Sequence, residues 1–99
     1  MECLEKATQK TWEYVKYNGK NWRDIFLLNP NLFDQDPRKS TIVKMGNFLF
    51  FQTKIGKTST IEEGDYILAS QDRYLHIKGR DFKENYALEN QTQKLNNLN

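Results

Sequence analysis

The sequence predicts an α+β fold in which one early helix packs on a small, bent, mostly antiparallel sheet. Three observations carry that expectation. Apolar spacing is helical over residues 21–28, strand-like runs follow residue 41, and turns centred on Gly46, Gly56 and Gln71-Asp72 separate those runs. Helical residues that share a face recur every three or four positions, whereas strand residues do so every second one.

Taken in order, TWEYVKYN at 11–18 is rich in aromatic and β-branched residues and ends at the turn pair Asn18-Gly19, so it reads as a first strand. Trp12 and Tyr14 share one face of it and Val15 and Tyr17 take the other, with one pair expected to face solvent. Asn21 is placed to cap a helix whose face carries Trp22, Ile25, Phe26 and Leu28, with Asp24 in its first turn. Pro30 ends that helix, and NPNLFDQDPRKS at 29–40 reads as a loop from which Leu32 and Phe33 dip into the core.

IVKMGNFLFFQTK then supplies two strands joined at Met45-Gly46-Asn47, and a second hairpin turns at Gly56. EEGDYILAS and RYLHIKG form a third, in which Tyr74 and His76 share one side and Leu75 and Ile77 the other, leaving His76 toward solvent. Asp81 is expected to cap a last helical turn that sets Phe82 and Tyr86 on one face.

Ninety-nine residues suffice for one domain, assigned to 1–89, with a polar tail at 90–99 that lacks aromatic or β-branched clusters. The hydrophobic fraction is only 37%, so much of a thin core must come from six Phe, five Tyr and two Trp. Fifteen Lys and Arg against thirteen Asp and Glu give a net charge of +2, far from the footprint of a dedicated nucleic-acid binder. A single cysteine, Cys3, makes neither an internal disulfide nor a zinc site alone, which points to the cytoplasm. No apolar run approaches the roughly 20 residues that span a bilayer, and MECLEKATQK is no signal peptide, so no membrane association is expected.

Catalysis needs convergent groups, and the chain offers few. His76 has no cysteine nucleophile near it in sequence, and the pairs Glu62-Glu63 and Asp34-Asp36 sit where turns and solvation explain them. KIGKTST lacks the longer glycine-framed cradle of a phosphate-binding loop. The expectation is no enzyme, no cofactor and no metal. Basic residues do gather around turns with aromatics among them, as in single-strand binders, but Glu62, Asp65, Asp72, Asp81 and Glu84 interleave with them, so the local field nearly cancels. Thirteen aromatics exceed what so thin a core needs, which implies an exposed contact surface. Its candidates are Trp12, Tyr14, Arg73, His76, Lys78 and Arg80.

The succession Lys6-Ala7, Tyr17-Asn18-Gly19-Lys20-Asn21, Gly64-Asp65-Tyr66-Ile67, Tyr74 and finally Phe82 with Tyr86 resembles a family of small phage and prophage proteins of uncharacterised role. The resemblance spans roughly residues 6–88. Glu63 stands where that pattern has proline and Leu75-His76 where it has Pro-Cys, so no ligand set is carried over. What the resemblance implies is a phage-encoded accessory protein that acts by stoichiometric protein binding, inhibiting a host or defence-system protein such as a CRISPR nuclease. The alternatives are a nucleic-acid-binding accessory protein and a binder that sequesters a signalling nucleotide.

Overall fold

A computed structural model describes residues 1–36, 38–53, 56–71 and 73–88. The fold is α+β, and the described residues form two antiparallel sheets and two short helices. The larger sheet combines β1 (Glu2–Glu5), β2 (Thr11–Lys16), β6 (Tyr66–Ser70), β7 (Arg73–Ile77) and β8 (Tyr86–Leu88) in the order β7-β6-β2-β1-β8. The smaller runs β3-β4-β5, from Ile42–Met45, Phe48–Gln52 and Thr58–Ile61. Helix α1 (Trp22–Leu28) follows β2, and α2 (Gly79–Asn85) links β7 to β8.

Both faces of the larger sheet are covered, and this corrects the expectation that one of the first strand's two pairs, Trp12 with Tyr14 or Val15 with Tyr17, faces solvent. On one face Trp12, Tyr14, Tyr66 and Leu68 pack with Cys3 beneath Phe82 of α2 and Tyr86. On the other, Tyr17 and Ile67 meet Ile25 of α1 and the inner residues Ile42, Leu49, Phe51 and Ile61 of the smaller sheet. Period-two alternation held, but it separates two cores rather than core from solvent. Trp12 and Tyr14 are therefore buried and withdrawn from any contact surface. The Trp12 indole N–H donates to Glu5 Oε1 at 3.2 Å, which supplies the partner that a buried indole requires.

Two strands escape the sequence reading. β1 contains only Cys3 and Leu4 as apolar residues, and β8 is three residues long. Their strand character comes from pairing, since β1 is held between β2 and β8 with Cys3 opposite both Trp12 and Leu88. Burial and the neighbouring Glu5 push the Cys3 thiol up to about 11, the former more strongly and against the lowering effect of the N-terminal charge. A thiol so protonated is a poor nucleophile.

The helix ends also differ from expectation. Asn21 stands at the start of α1 without capping it. Its Oδ1 accepts from the Asn18 N–H at 2.7 Å and its Nδ2 donates to the Lys16 carbonyl at 2.9 Å, so it ties the turn rather than the helix. Ile25 is fully buried, whereas Phe26 is 40% exposed, because the apolar stripe of a seven-residue helix turns only part of its width to the core. Pro30 opens a 3₁₀ turn, Pro30–Leu32, in which the Asn29 side chain accepts from the Asn31 N–H. Asp81 lies inside the first turn of α2, which begins two residues earlier, and Tyr86 opens β8 instead of closing a helical face. Phe82 and Tyr86 nevertheless stack at 5.2 Å between centroids, and Phe82 stacks on Tyr66 at 3.7 Å. The polar tail at 90–99 lies outside the described residues, as does the last residue of the domain assigned to 1–89. None of the described helices is long and apolar enough to cross a membrane.

Candidate functional site

Two features carry polar or apolar chemistry beyond the demands of the cores. The first is a junction between the sheets, centred on Asp65 in the tight turn that links β5 to β6. The turn closes when the Asp65 N–H donates to the Glu62 carbonyl at 2.9 Å, and Gly64 supports it with a φ of +94°, which side-chain-bearing residues rarely adopt. Asp65 Oδ2 then accepts from the Glu62 N–H at 2.8 Å, from Lys78 Nζ at 3.0 Å and lies 2.7 Å from His76 Nε2.

His76 continues the chain, with its Nδ1 2.7 Å from Ser59 Oγ on β5. Because an ionised carboxylate only accepts, Nε2 carries a proton, and in the neutral ring Nδ1 accepts from the serine hydroxyl. The His76 side chain is 5% exposed and packs near the Phe51 ring, so the expectation of a solvent-facing histidine is corrected. Alternation placed it beside Tyr74 correctly. The smaller sheet then covers that side, which a single strand's periodicity does not reveal.

A hydroxyl, an imidazole and a carboxylate in hydrogen-bonded sequence have the outline of a nucleophilic relay. The electrostatics favour a fastening role. The oxygen facing His76 also holds an ammonium and a backbone N–H, so its charge is already shared among three donors. Burial pushes the Asp65 carboxyl up, but the Glu62 N–H, His76 and Lys78 together hold it below its ordinary value. The hydrogen bond to Asp65 raises Lys78 in turn, against some desolvation. The junction joins β5, the turn and β7, and thereby pins the smaller sheet to the larger. Ser59→Ala should cost about 1 kcal/mol, the net worth of one hydrogen bond, and lower the melting temperature by roughly 4–8 °C. Thermal unfolding of the variant measures this directly.

The second feature is the outer face of the smaller sheet. Register sets Val43 opposite Phe50 and Met45 opposite Phe48, while Thr60 lies beside Phe50 on β5. Since Ile42, Leu49, Phe51 and Ile61 point inward, these residues point out. Met45 is 63% and Phe48 62% exposed, and the Phe48 and Phe50 rings lie 6.4 Å apart at 32°. Arg38 borders a shallow cleft there with Val43, Met45, Phe50, Gln52 and Thr58. Its guanidinium is exposed and 3.3 Å from Asp36.

The sequence-predicted contact residues do not converge. Arg73 starts β7 and holds its guanidinium 5.8 Å from the centre of the Trp12 ring, whereas Lys78 and Arg80 lie beyond the strand's other end. Lys78 is committed to Asp65 and Glu62. Arg80 is exposed and 3.9 Å from Asp81. Of the six candidates the structure brings together Arg73 with Trp12, which is buried. It also brings His76 and Lys78 to one carboxylate.

Residue spacing does not mark the exposed face, although the charge distribution does. Residues 37–61 contain Arg38, Lys39, Lys44, Lys54 and Lys57 and no Asp or Glu, which leaves the rest of the chain three negative charges in excess. Net charge near zero conceals that segregation. No protein-family model, curated protein or solved structure matches this chain.

Proposed function

We propose that the protein is a non-enzymatic binding module that acts by stoichiometric association, with the outer face of β3-β4-β5 as its working surface. The observation that carries this reading is the contiguous exposure of Met45 and Phe48 beside the half-buried Val43 and Phe50. A chain with so few apolar residues leaves four of them together on one open face, and such patches mark interaction sites. The saturated junction at Asp65 supports the same reading, because its histidine is occupied in holding the sheets. On the resemblance to phage and prophage proteins, the partner is a host macromolecule and blocking it is the activity.

The test compares wild type with a Met45→Ser, Phe48→Ser double variant, both immobilised and exposed to a bacterial lysate. The variant should lose the retained macromolecule while its stability stays within about 0.5 kcal/mol per site, as for exposed substitutions generally. Equal retention by the folded variant overturns the proposed surface. Activity that persists when the protein is far scarcer than its target overturns the stoichiometric mechanism.

A further inference from the structure

We infer that the outer face of the smaller sheet takes single-stranded nucleic acid, with Phe48 and Phe50 as the base-stacking platform. The inference rests on the binding-module reading above and names the class of its partner. Phe48 and Phe50 stand two residues apart on β4, the central strand of three, so both rings project from the same face. Met45 and Val43 flank them on one side and the hydroxyls of Thr58 and Thr60 on the other. Unstacked bases present a flat π-face whatever their identity, and aromatic side chains displayed on an open sheet receive them.

Charge distinguishes this ligand from a protein surface. The whole segment that builds the sheet, residues 37–61, carries five cations and no carboxylate, whereas the remainder of the chain is net negative. Arg38 borders the aromatic cleft itself, and Lys39 and Lys57 are exposed at the ends of the segments leading into β3 and β5. A polyanion with apolar bases matches both halves of this pattern, since phosphates meet the cations while the bases cover the rings. Asp36, outside the segment, pairs with Arg38 at 3.3 Å and would be displaced by a phosphate. Lys44 is engaged elsewhere, with its Nζ donating to the Gly46 carbonyl and lying 5.4 Å from the Trp22 ring centre.

The experiment is fluorescence anisotropy with labelled oligothymidylate and oligouridylate of about 20 nucleotides, and with a duplex of the same length as control. Single strands should bind saturably and more tightly than the duplex. The log–log salt slope should be about −2, from roughly three phosphate contacts at about 0.7 each. Phe48→Ala should weaken binding by about 5- to 150-fold with the melting temperature unchanged, and Phe48→Trp should retain it. Absence of saturable binding at low salt, or affinity that Phe48→Ala leaves intact, overturns the inference. The parallel lysate capture, repeated after nuclease treatment, separates the two levels. If Phe48→Ala abolishes retention of a protein while no oligonucleotide binds, the nucleic-acid assignment falls and the binding surface stands. If neither measurement responds to Phe48→Ala, both fall.

Discussion

Gly79→Ala is expected to destabilise the protein by about 2–3 kcal/mol and to lower its melting temperature by on the order of 10–20 °C. Gly79 opens α2, and a Cβ at that position would stand 2.6 Å from the Gly64 carbonyl oxygen and 3.5 Å from its carbon. Both are backbone atoms of the turn that also holds Asp65, so neither swings aside as a flexible side chain would. Either α2 lifts from the sheet or the turn shifts, and each movement disturbs a buried group: Phe82 in its stack on Tyr66, or Asp65 at the junction. Alanine's better helix propensity offsets at most about 1 kcal/mol of this. Gly46→Ala is the control, because its added methyl meets no atom within 4 Å and carries only the strain of a φ of +60°. Calorimetry should rank Gly79→Ala well below Gly46→Ala, and equal melting temperatures would contradict the close approach.

Asp65→Asn should cost about 3 kcal/mol, in the range for removing one member of a buried charged pair. The amide keeps the shape but places N–H groups or a neutral oxygen where the Glu62 N–H, His76 and Lys78 all converge on one carboxylate oxygen. The pH dependence carries the same signature. Burial opposes ionisation of Asp65, but its three donors outweigh burial and leave the carboxyl below its ordinary value of 3.8. A depressed carboxyl contributes stability that is complete above the unfolded value and is lost as pH falls from there through the folded one. Wild type should therefore lose stability steeply below about pH 4, and Asp65→Asn should show a flatter profile in that window. Lys78 behaves oppositely, since a raised ammonium contributes fully below its ordinary 10.5 and fades only as pH climbs beyond it. Denaturant unfolding at several pH values distinguishes these limbs. A variant that keeps the wild-type acid slope would show that Asp65 is not its origin.

These two substitutions act on one small region, in which Gly64, Asp65, His76, Lys78 and Gly79 come from a turn, a strand end and a helix start. That convergence is tertiary, and it explains the uneven legibility of the chain. Local signals sufficed where local physics decides: the Asn18-Gly19 and Gly46 turns, the helix over 22–28, the three hairpins after residue 41 and the alternation of Tyr74 and His76 with Leu75 and Ile77 all follow from propensity and period. The choice of an α+β fold followed from the same signals.

What sequence alone did not decide is which surfaces remain open. Period two assigns residues to faces but is silent on whether a second layer covers each face. Trp12 and Tyr14 therefore looked available for contact until α2 covered them, and His76 looked solvated until Ser59 and Phe51 arrived from the other sheet. The reverse holds for Met45 and Phe48, which read as ordinary strand residues and stay exposed because no layer packs outside the smaller sheet among the described residues. β1 and β8 were invisible for a related reason, since their few apolar residues become strands only when the larger sheet supplies neighbours to pair with. The sequence by itself determined where the backbone turns and which side chains share a face. Only the tertiary structure decided which of those faces met a neighbour, because burial is a property of two packed surfaces, and a strand's own residues specify just one of them.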